Sequence, residues 1–512
     1  MATKQRDSSI PINWQDLYEH LQKAVVEGRH ALCRDALKKQ NPQKIPREWA
    51  SRFADLAVRT HLPLFALKAL HALVFSDNTL NKPATNLEFM TYARSLYHLG
   101  AVADAIQILN KVDIKAEPEV LFLRACANIF DWNYPAAISD LKAYLAAPDI
   151  APYRRLVGKV NLAAAYINVG DWVEADEALA EVQYECEAGA YQLLLGNSLE
   201  LRSQVEIFQG RFEKALVALE RAQELLQTQG ALYSLYVEKW KAVCHCLQRP
   251  SSENIQQLER VRQKANELGH WGTLRECDLF EAIANRDETL IRKVIMGTPS
   301  EFYRQRARRL FKTEIVFRGQ YRWKIKGDAE GEEQTFDPYR KAPNQPALYE
   351  KPMLLSLFEA LASDFYQPFN LSILFNKVYV GEKFNPFSSP ARVLQLLRRL
   401  DRWFKENRIP LRVRFKKSEF CLKSITNVEV IVQRGKDLAL LSPKKRQLMD
   451  LKLILKEKSL SVEKIRQRMG LSESSTRRLL RRGLVEGHIK KIGTGRGTVY
   501  QAASARQKRG RL

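Results

Sequence analysis

Residues 165–179 read AYINVGDWVEADEAL, and residues 205–219 read VEIFQGRFEKALVAL. Each is an apolar run, a glycine, and a second run with alanine at a fixed place. SLYHLGAVADAIQIL (95–109) and ANIFDWNYPAAISDL (127–141) share the layout. Taking Ala105, Ala137, Ala175 and Ala215 as equivalent gives spacings of 32, 38 and 40 residues. Weaker copies lie at LQKAVVEGRHALCRDAL (21–37) and around CLQRPSSENIQQL (246–258). This pattern predicts paired helices. Gly100, Gly170 and Gly210 stand where a tight helix–helix connection needs positive φ. The small alanines let the second helix approach the first. Tyr97, Trp132, Tyr166, Trp172 and Phe208 are expected to fill the layer between repeats. One such pair cannot bury its apolar face alone, so the pairs must stack.

These stretches resemble the tetratricopeptide-repeat family, above all at NLAAAYINVGDWVEADEAL (161–179) and SLELRSQVEIFQGRFEKALVAL (198–219). The resemblance covers about 60–290, with a period longer than the usual 34 or so residues. It implies a surface that binds a peptide, a protein or a small ligand.

The chain has 512 residues, 45% hydrophobic and 27% charged, a balance suited to several globular domains. Its longest nearly apolar stretch, LPLFALKALHALVF (62–75), is interrupted by Lys68 and His71 and is too short to span a bilayer. The N-terminal MATKQRDSSIPINWQ lacks the apolar core of a secretory signal, so the expected location is the cytoplasm. Seven cysteines form no disulfide framework. Cys244-His245-Cys246 has no second ligand pair nearby, and buried thiols are the expectation there. No nucleophile–base or metal spacing appears, so neither an enzyme nor a cofactor is expected.

The net charge of +24 is unevenly placed. Residues 1–300 hold 35 Lys+Arg against 37 Asp+Glu, residues 301–430 hold 25 against 15, and residues 431–512 hold 22 against 6. A neutral part followed by a strongly basic part points to two jobs, the second facing a polyanion.

Helical periodicity fades after FYRQRARRLFKTEI (302–315). A β-like run (315–327), an acidic loop (328–337) and a proline-bearing loose segment (338–352) follow, so 301–350 is expected as a strand-containing linker or cap. Residues 351–425 then give three amphipathic helices and a hairpin. In the third helix Val393, Leu396, Leu397, Leu400, Trp403 and Phe404 form the buried stripe, with Pro390 in the first turn. Arg392, Arg398, Arg399 and Arg402 fall on its other side, and Lys416 and Lys417 at the hairpin turn. This order is similar to the output domains of bacterial response regulators, which makes those six residues a second DNA-contacting candidate set.

Residues 440–501 repeat the theme. LSPKKRQLMDLKLILKEKS (441–459) reads as a first helix capped by Ser442 with Pro443 behind it, and LSVEKIRQRMG (460–470) as a second. LSESSTRRLLRRGLVEGHI (471–489) reads as a third helix capped by Ser472, and IKKIGTGRGTVYQ (489–501) as a glycine-tipped hairpin. Between Ser474 and His488 the only acid is Glu486, so the four arginines are expected to lack partners on their own helix. The stretch resembles the winged helix-turn-helix superfamily of bacterial transcription regulators. That resemblance implies a recognition helix over 473–486 with Glu473, Ser474, Ser475, Arg477 and Arg478 facing the major groove. Arg481, Arg482, Lys490 and Lys491 would hold phosphates, and Arg496 on the wing would enter the minor groove. Gly483 stands where relatives often carry a large apolar residue. A helix bend there, or rescue of the core by Leu484 and Val485, is expected. Residues 502–512 extend the basic footprint.

The resulting expectation is a mostly α protein: a TPR-like α-solenoid over 1–300 followed by two small α+β winged-helix modules. Duplex DNA is the expected partner of the basic part, and a protein or peptide partner that of the solenoid. A homo-oligomer is allowed, and no membrane is involved. The function this implies is transcription regulation. Two rivals remain: an assembly scaffold like the PCI-domain family, which also joins a helical array to a winged helix, and an RNA-binding factor.

Overall fold

The computed structural model describes residues 13–75, 82–312, 319–329, 332–340, 348–416, 419–434, 448, 451–452, 454–455, 459–469 and 473–503. The chain divides into two compact units, the first ending at Ile315 and the second beginning at Val316, apart from residues 384–387.

The first unit is a run of antiparallel helix pairs: α1 (Trp14–Val26) and α2 (His30–Lys38), α3 (Arg47–Arg59) and α4 (Pro63–Val74), α5 (Asn86–His98) and α6 (Val102–Leu109). Next come α7 (Glu119–Phe130) and α8 (Tyr134–Ala146), α9 (Pro152–Val169) and α10 (Trp172–Ala188), α11 (Gln192–Phe208) and α12 (Phe212–Leu226). Then follow α13 (Ala231–Gln248) and α14 (Ser252–Leu268), α15 (Trp271–Asn285) and α16 (Glu288–Met296), and finally α17 (Glu301–Phe311). The odd-numbered helices pack on one another from α1 to α7 and again from α9 to α17, while no two even-numbered helices pack to the same extent. Crowding on one layer and spreading on the other curves the array, and the odd layer is the inner one. This is a TPR-like solenoid.

The repeat signature explains the packing. Ala105, Ala137, Ala175 and Ala215 are fully buried, and Gly100, Gly170 and Gly210 have φ of 77°, 91° and 76°. Trp132 occupies the equivalent connection with φ 63°, the left-handed region a bulky residue enters at a cost. Trp172 and Phe208 stack between repeats at 4.8 Å, as expected, but Trp132 meets Tyr303 of α17 at 4.5 Å. Cys244 and Cys246 are buried, and burial pushes both thiols up to about 11.

The second unit begins with β1 (Gly319–Ile325) and β2 (Gln334–Phe336). Next come α18 (Pro352–Leu361), α19 (Leu371–Val378) and α20 (Ser389–Glu406), then β3 (Leu411–Lys416), β4 (Glu419–Ser424) and β5 (Val428–Arg434). β5 lies between β1, antiparallel to it, and β2, parallel to it. The stretch expected as an acidic loop thus carries β2, and two strands of the expected linker share a sheet with β5. Phe336, Phe358 and Phe404 meet at 5.5–6.4 Å in the core beneath. Val393, Leu396, Leu397, Leu400, Trp403 and Phe404 of α20 are all buried, as its periodicity required.

The last elements are β6 (Leu460–Ser461), α21 (Val462–Met469), α22 (Glu473–Val485), β7 (Ile489–Ile492) and β8 (Val499–Ala502). Residues 460–461, expected as the start of a helix, instead pair with Tyr500 and Val499. Ser442, Pro443 and Ser472, the expected caps, lie outside the described residues, as do Lys417 and residues 504–512.

Candidate nucleic-acid interface

Helix α22 has two faces. Thr476, Leu479 and Leu480 are buried, joining Leu451, Leu455, Ile465, Met469 and Ile489 in one core. That inward register turns Arg477, Arg478 and Arg481 to solvent, with Arg482 half-buried at the flank. Arg477 Nη2 lies 2.8 Å from Glu473 Oε1, and Arg482 Nε lies 2.6 Å from Glu486 Oε1. Two of the four arginines are therefore partnered on their own helix, contrary to the expectation. Glu473, at the first position of the helix, supplies the acid at i−4 from Arg477. Such exposed pairs contribute at most a few tenths of a kcal/mol and yield readily to a phosphate. Arg478 and Arg481, one turn apart, make no ion pair among the described residues.

Gly483 does not break α22, which runs through it to Val485. A methyl group there would stand 3.0 Å from Ile489 Cδ1, so Ile489 occupies the space a larger residue would need. Leu484 is 37% and Val485 82% exposed, so neither rescues the core. The β7–β8 hairpin follows, with Lys490 paired to Gln501 and Lys491 to Tyr500, both lysines exposed. Gly493 and Gly495 take φ of 80° and 64° at its tip. The side chains of Ser474, Ser475 and Arg496 lie outside what is described. The geometry thus brings Arg478, Arg481, Lys490 and Lys491 onto one small module as exposed cations.

The earlier candidate set divides. Arg392 Nη1 lies 2.8 Å from Glu382, and its guanidinium stands 4.1 Å over the Tyr379 ring. The Glu382 carboxylate holds this guanidinium above its ordinary value, and the contacts make Arg392 a clamp between α19 and α20. Arg398, Arg399 and Arg402 are exposed on α20. Arg398 and Arg402 edge a cleft of about 410 Å³ between α20 and the β3–β4 hairpin, floored by Leu397, Val413 and Phe420. Lys405, unnoticed in the sequence, lines the same cleft and pairs with Asp401 at 2.9 Å. Lys416 ends β3, and its side chain is outside what is described.

The solenoid holds a polar cluster that no sequence spacing announced. Lys239 Nζ of α13 lies 2.6 Å from Glu276 Oε2 of α15, and Arg306 Nη2 of α17 lies 3.4 Å from Glu276 Oε1. Lys239 and Arg306 are each 5% exposed. Burial pushes the nearby Glu200 carboxyl up to about 7 against the pull of Lys239, while Lys239 and Arg306 hold Glu276 below the usual range despite its burial. These residues lie on separate inner helices, so no linear motif could show them meeting.

No family model matches the chain, and no curated protein matches it. Solved structures do. A Rap protein complexed with competence and sporulation factor is 11% identical, covering 55% of this chain and 83% of that chain with a TM-score of 0.40. A tetratricopeptide repeat protein from Parabacteroides merdae is 16% identical, covering 49% and 93% with a TM-score of 0.35. Aspartyl phosphate phosphatase F from Bacillus subtilis is 14% identical, covering 58% and 85% with a TM-score of 0.36. At this level the likeness is one of helical-repeat architecture and carries nothing about ligands.

Proposed function

We propose that this chain is a non-catalytic, DNA-binding transcription regulator whose solenoid receives a protein or peptide partner and whose C-terminal module grips duplex DNA. The order strand, helix, helix and hairpin at 460–502, preceded by helical residues at 448, 451–452 and 454, suits a winged helix. Its third helix, α22, would enter the major groove, with the β7–β8 hairpin alongside as the wing. The observation that carries this reading is the outward face of α22, where Arg478 and Arg481 stand exposed and make no ion pair among the described residues, on the same module as the exposed Lys490 and Lys491. On this reading Arg478 would meet guanine edges, and Arg481, Lys490 and Lys491 would meet phosphates. Arg398, Arg399 and Arg402 on α20 offer a second cationic face for the same polyanion. No helix among the described residues is long and apolar enough to cross a membrane.

The test is binding of the full chain to random duplex DNA across a salt series, followed by selection of preferred sequences. Tight, salt-sensitive binding with an enriched motif, lost in Arg478→Ala/Arg481→Ala, is the expected result. Binding with no motif, and equally to structured RNA, would replace DNA by RNA as the ligand. No binding at moderate salt would favour the second reading, an assembly scaffold. One observation speaks for that scaffold: Val485 and Ile492, on the same module, are 82% and 44% exposed.

A further inference from the structure

Helix α17 follows α16 in sequence, and a terminal helix that merely closed the array would touch only the last pair. Its contacts reach much further back. Ser300 Oγ donates to the Asp131 carbonyl at 3.2 Å, and the Tyr303 ring meets Trp132 edge-to-face at 4.5 Å, both in the α7–α8 connection. Arg309 donates to the Asn168 carbonyl at 2.7 Å and to the Val169 carbonyl, at the end of α9. Its guanidinium lies against Gly170, where a Cβ would come within 3.2 Å of Cζ. Those carbonyls are left open by the helix end and carry its negative dipole charge, so a guanidinium is a fitting cap. Arg306 reaches Glu276 of α15. α17 therefore meets the C-terminal ends of α7 and α9 and the flank of α15, held by three separate repeats.

The residues that make these contacts are Tyr303, Arg306 and Arg309. They fall at i, i+3 and i+6, one stripe of a helix. Arg304 and Arg308 turn to Glu301 of their own helix, at 2.6 and 3.2 Å. The inner layer answers the stripe feature by feature: an aromatic wall at Trp132, a carboxylate at Glu276 and open carbonyls at Asn168 and Val169. Trp132 holds its strained backbone at the connection that glycine fills in three other repeats, and its ring is the one against Tyr303. Yet the fit is incomplete. Tyr303 is fully buried and Arg306 nearly so, but the Tyr303 hydroxyl and Arg306 Nη1 find no hydrogen-bond partner among the described residues. A better-placed helix would gain what α17 leaves unmade.

We propose that the inner layer of the solenoid is a binding site for a basic helix of the pattern Tyr-x-x-Arg-x-x-Arg, and that α17 is its resident ligand, exchangeable for a partner helix of that chemistry. The proposal rests on the reading of the solenoid as the partner-binding part, and names the partner.

The experiment uses a fluorescent peptide of residues 298–312 and the full chain, as wild type and as Arg306→Ala/Arg309→Ala, whose resident helix is weakened. The peptide should bind the variant at least tenfold more tightly than wild type, and its Arg306→Glu form should bind neither. Should the double variant fail to keep the helical circular-dichroism signal and melting transition of the wild type, Arg309→Ala alone replaces it, since it removes only the cap on α9. Failure of the peptide to bind a folded variant, or equal binding of the Arg306→Glu peptide, overturns the proposal. DNA titrations on the same preparations separate the outcomes: DNA binding without peptide binding sinks the exchange and leaves the DNA reading standing, and the converse sinks the DNA reading alone.

Discussion

Gly483 of α22 lies directly beneath Ile489 of β7: a methyl group on Gly483 would stand 3.0 Å from both Cδ1 and Cγ1 of Ile489 and 3.5 Å from Leu451 Cδ2. The glycine is thus a packing device that lets the hairpin close on the helix. A mid-helix glycine costs about 1 kcal/mol against alanine, and here the close approach offsets it. Gly483→Ala should therefore be near neutral, helix propensity gained and contact strained. Gly483→Leu should overpack the core and destabilise the C-terminal module by about 1–3 kcal/mol. Amide exchange at Leu479 and Leu480 under native conditions reads the difference. Unchanged protection in Gly483→Leu would show that Ile489 can move aside.

The pair between Glu473 and Arg477 makes a second prediction. Releasing Arg477 by Glu473→Ala should raise duplex affinity a few-fold at low salt and steepen the salt dependence, by about 0.9 in log–log slope if Arg477 then takes one phosphate. Arg478→Ala/Arg481→Ala should flatten the same slope. Helix content should stay near wild type in both, since the exposed pair contributes about 0.3–0.5 kcal/mol. Filter binding or anisotropy between low and moderate salt supplies both slopes, and an unaltered slope in the double variant would remove α22 from the interface.

Glu200 gives a pH prediction. Its carboxyl is pushed from 4.5 up to about 7 by burial in the folded chain. Between those values the folded state holds a proton that the unfolded state has lost. Its stabilising contribution is therefore whole below about pH 4.5, declines as pH rises through 7 and is gone above it, a swing on the order of 3 kcal/mol. His270, whose imidazole burial and Lys239 hold below its ordinary value, acts in the opposite sense, its contribution being lost as pH falls. The quantity to measure is thus the difference between wild type and Glu200→Gln. In urea unfolding at pH 5 and pH 8, the variant should gain on the wild type at the higher pH. A difference independent of pH would mean that Glu200 is ionised throughout.

How much of this was legible in the sequence follows from the range over which each feature acts. The helix pairs were legible because Ala105, Ala137, Ala175 and Ala215 repeat with glycines five residues before three of them, a local pattern. The stripe of α20 was legible for the same reason. By contrast, β1 finds β5 across a long separation, Arg322 meeting Glu429 at 2.5 Å, and no local period marks that partnership. Gly483 looked like a defect because Ile489, which occupies its space, belongs to another element. The pairing of Glu473 with Arg477 depends on where α22 begins, and helix ends are the part a sequence marks least sharply. Nothing local marks Arg306, since its partner Glu276 becomes its neighbour only when the array folds.

Trp132 offers the sharpest separation of local strain from long-range contact. At φ 63° it holds a conformation that glycine adopts freely at Gly100, Gly170 and Gly210. Trp132→Gly therefore relieves the α7–α8 connection while deleting the edge-to-face contact with Tyr303, worth about 0.5–1.5 kcal/mol beyond its buried area. The two effects fall on different elements. Amides of α7 and α8 should keep or gain protection from exchange, and amides of α17 should lose about tenfold, as removal of about 1.4 kcal/mol from one helix alone would give. Trp132→Ala keeps the strain and loses the contact, so both regions should loosen. Equal loosening of α7, α8 and α17 in Trp132→Gly would mean that Trp132 serves its own repeat and that α17 is held by other contacts.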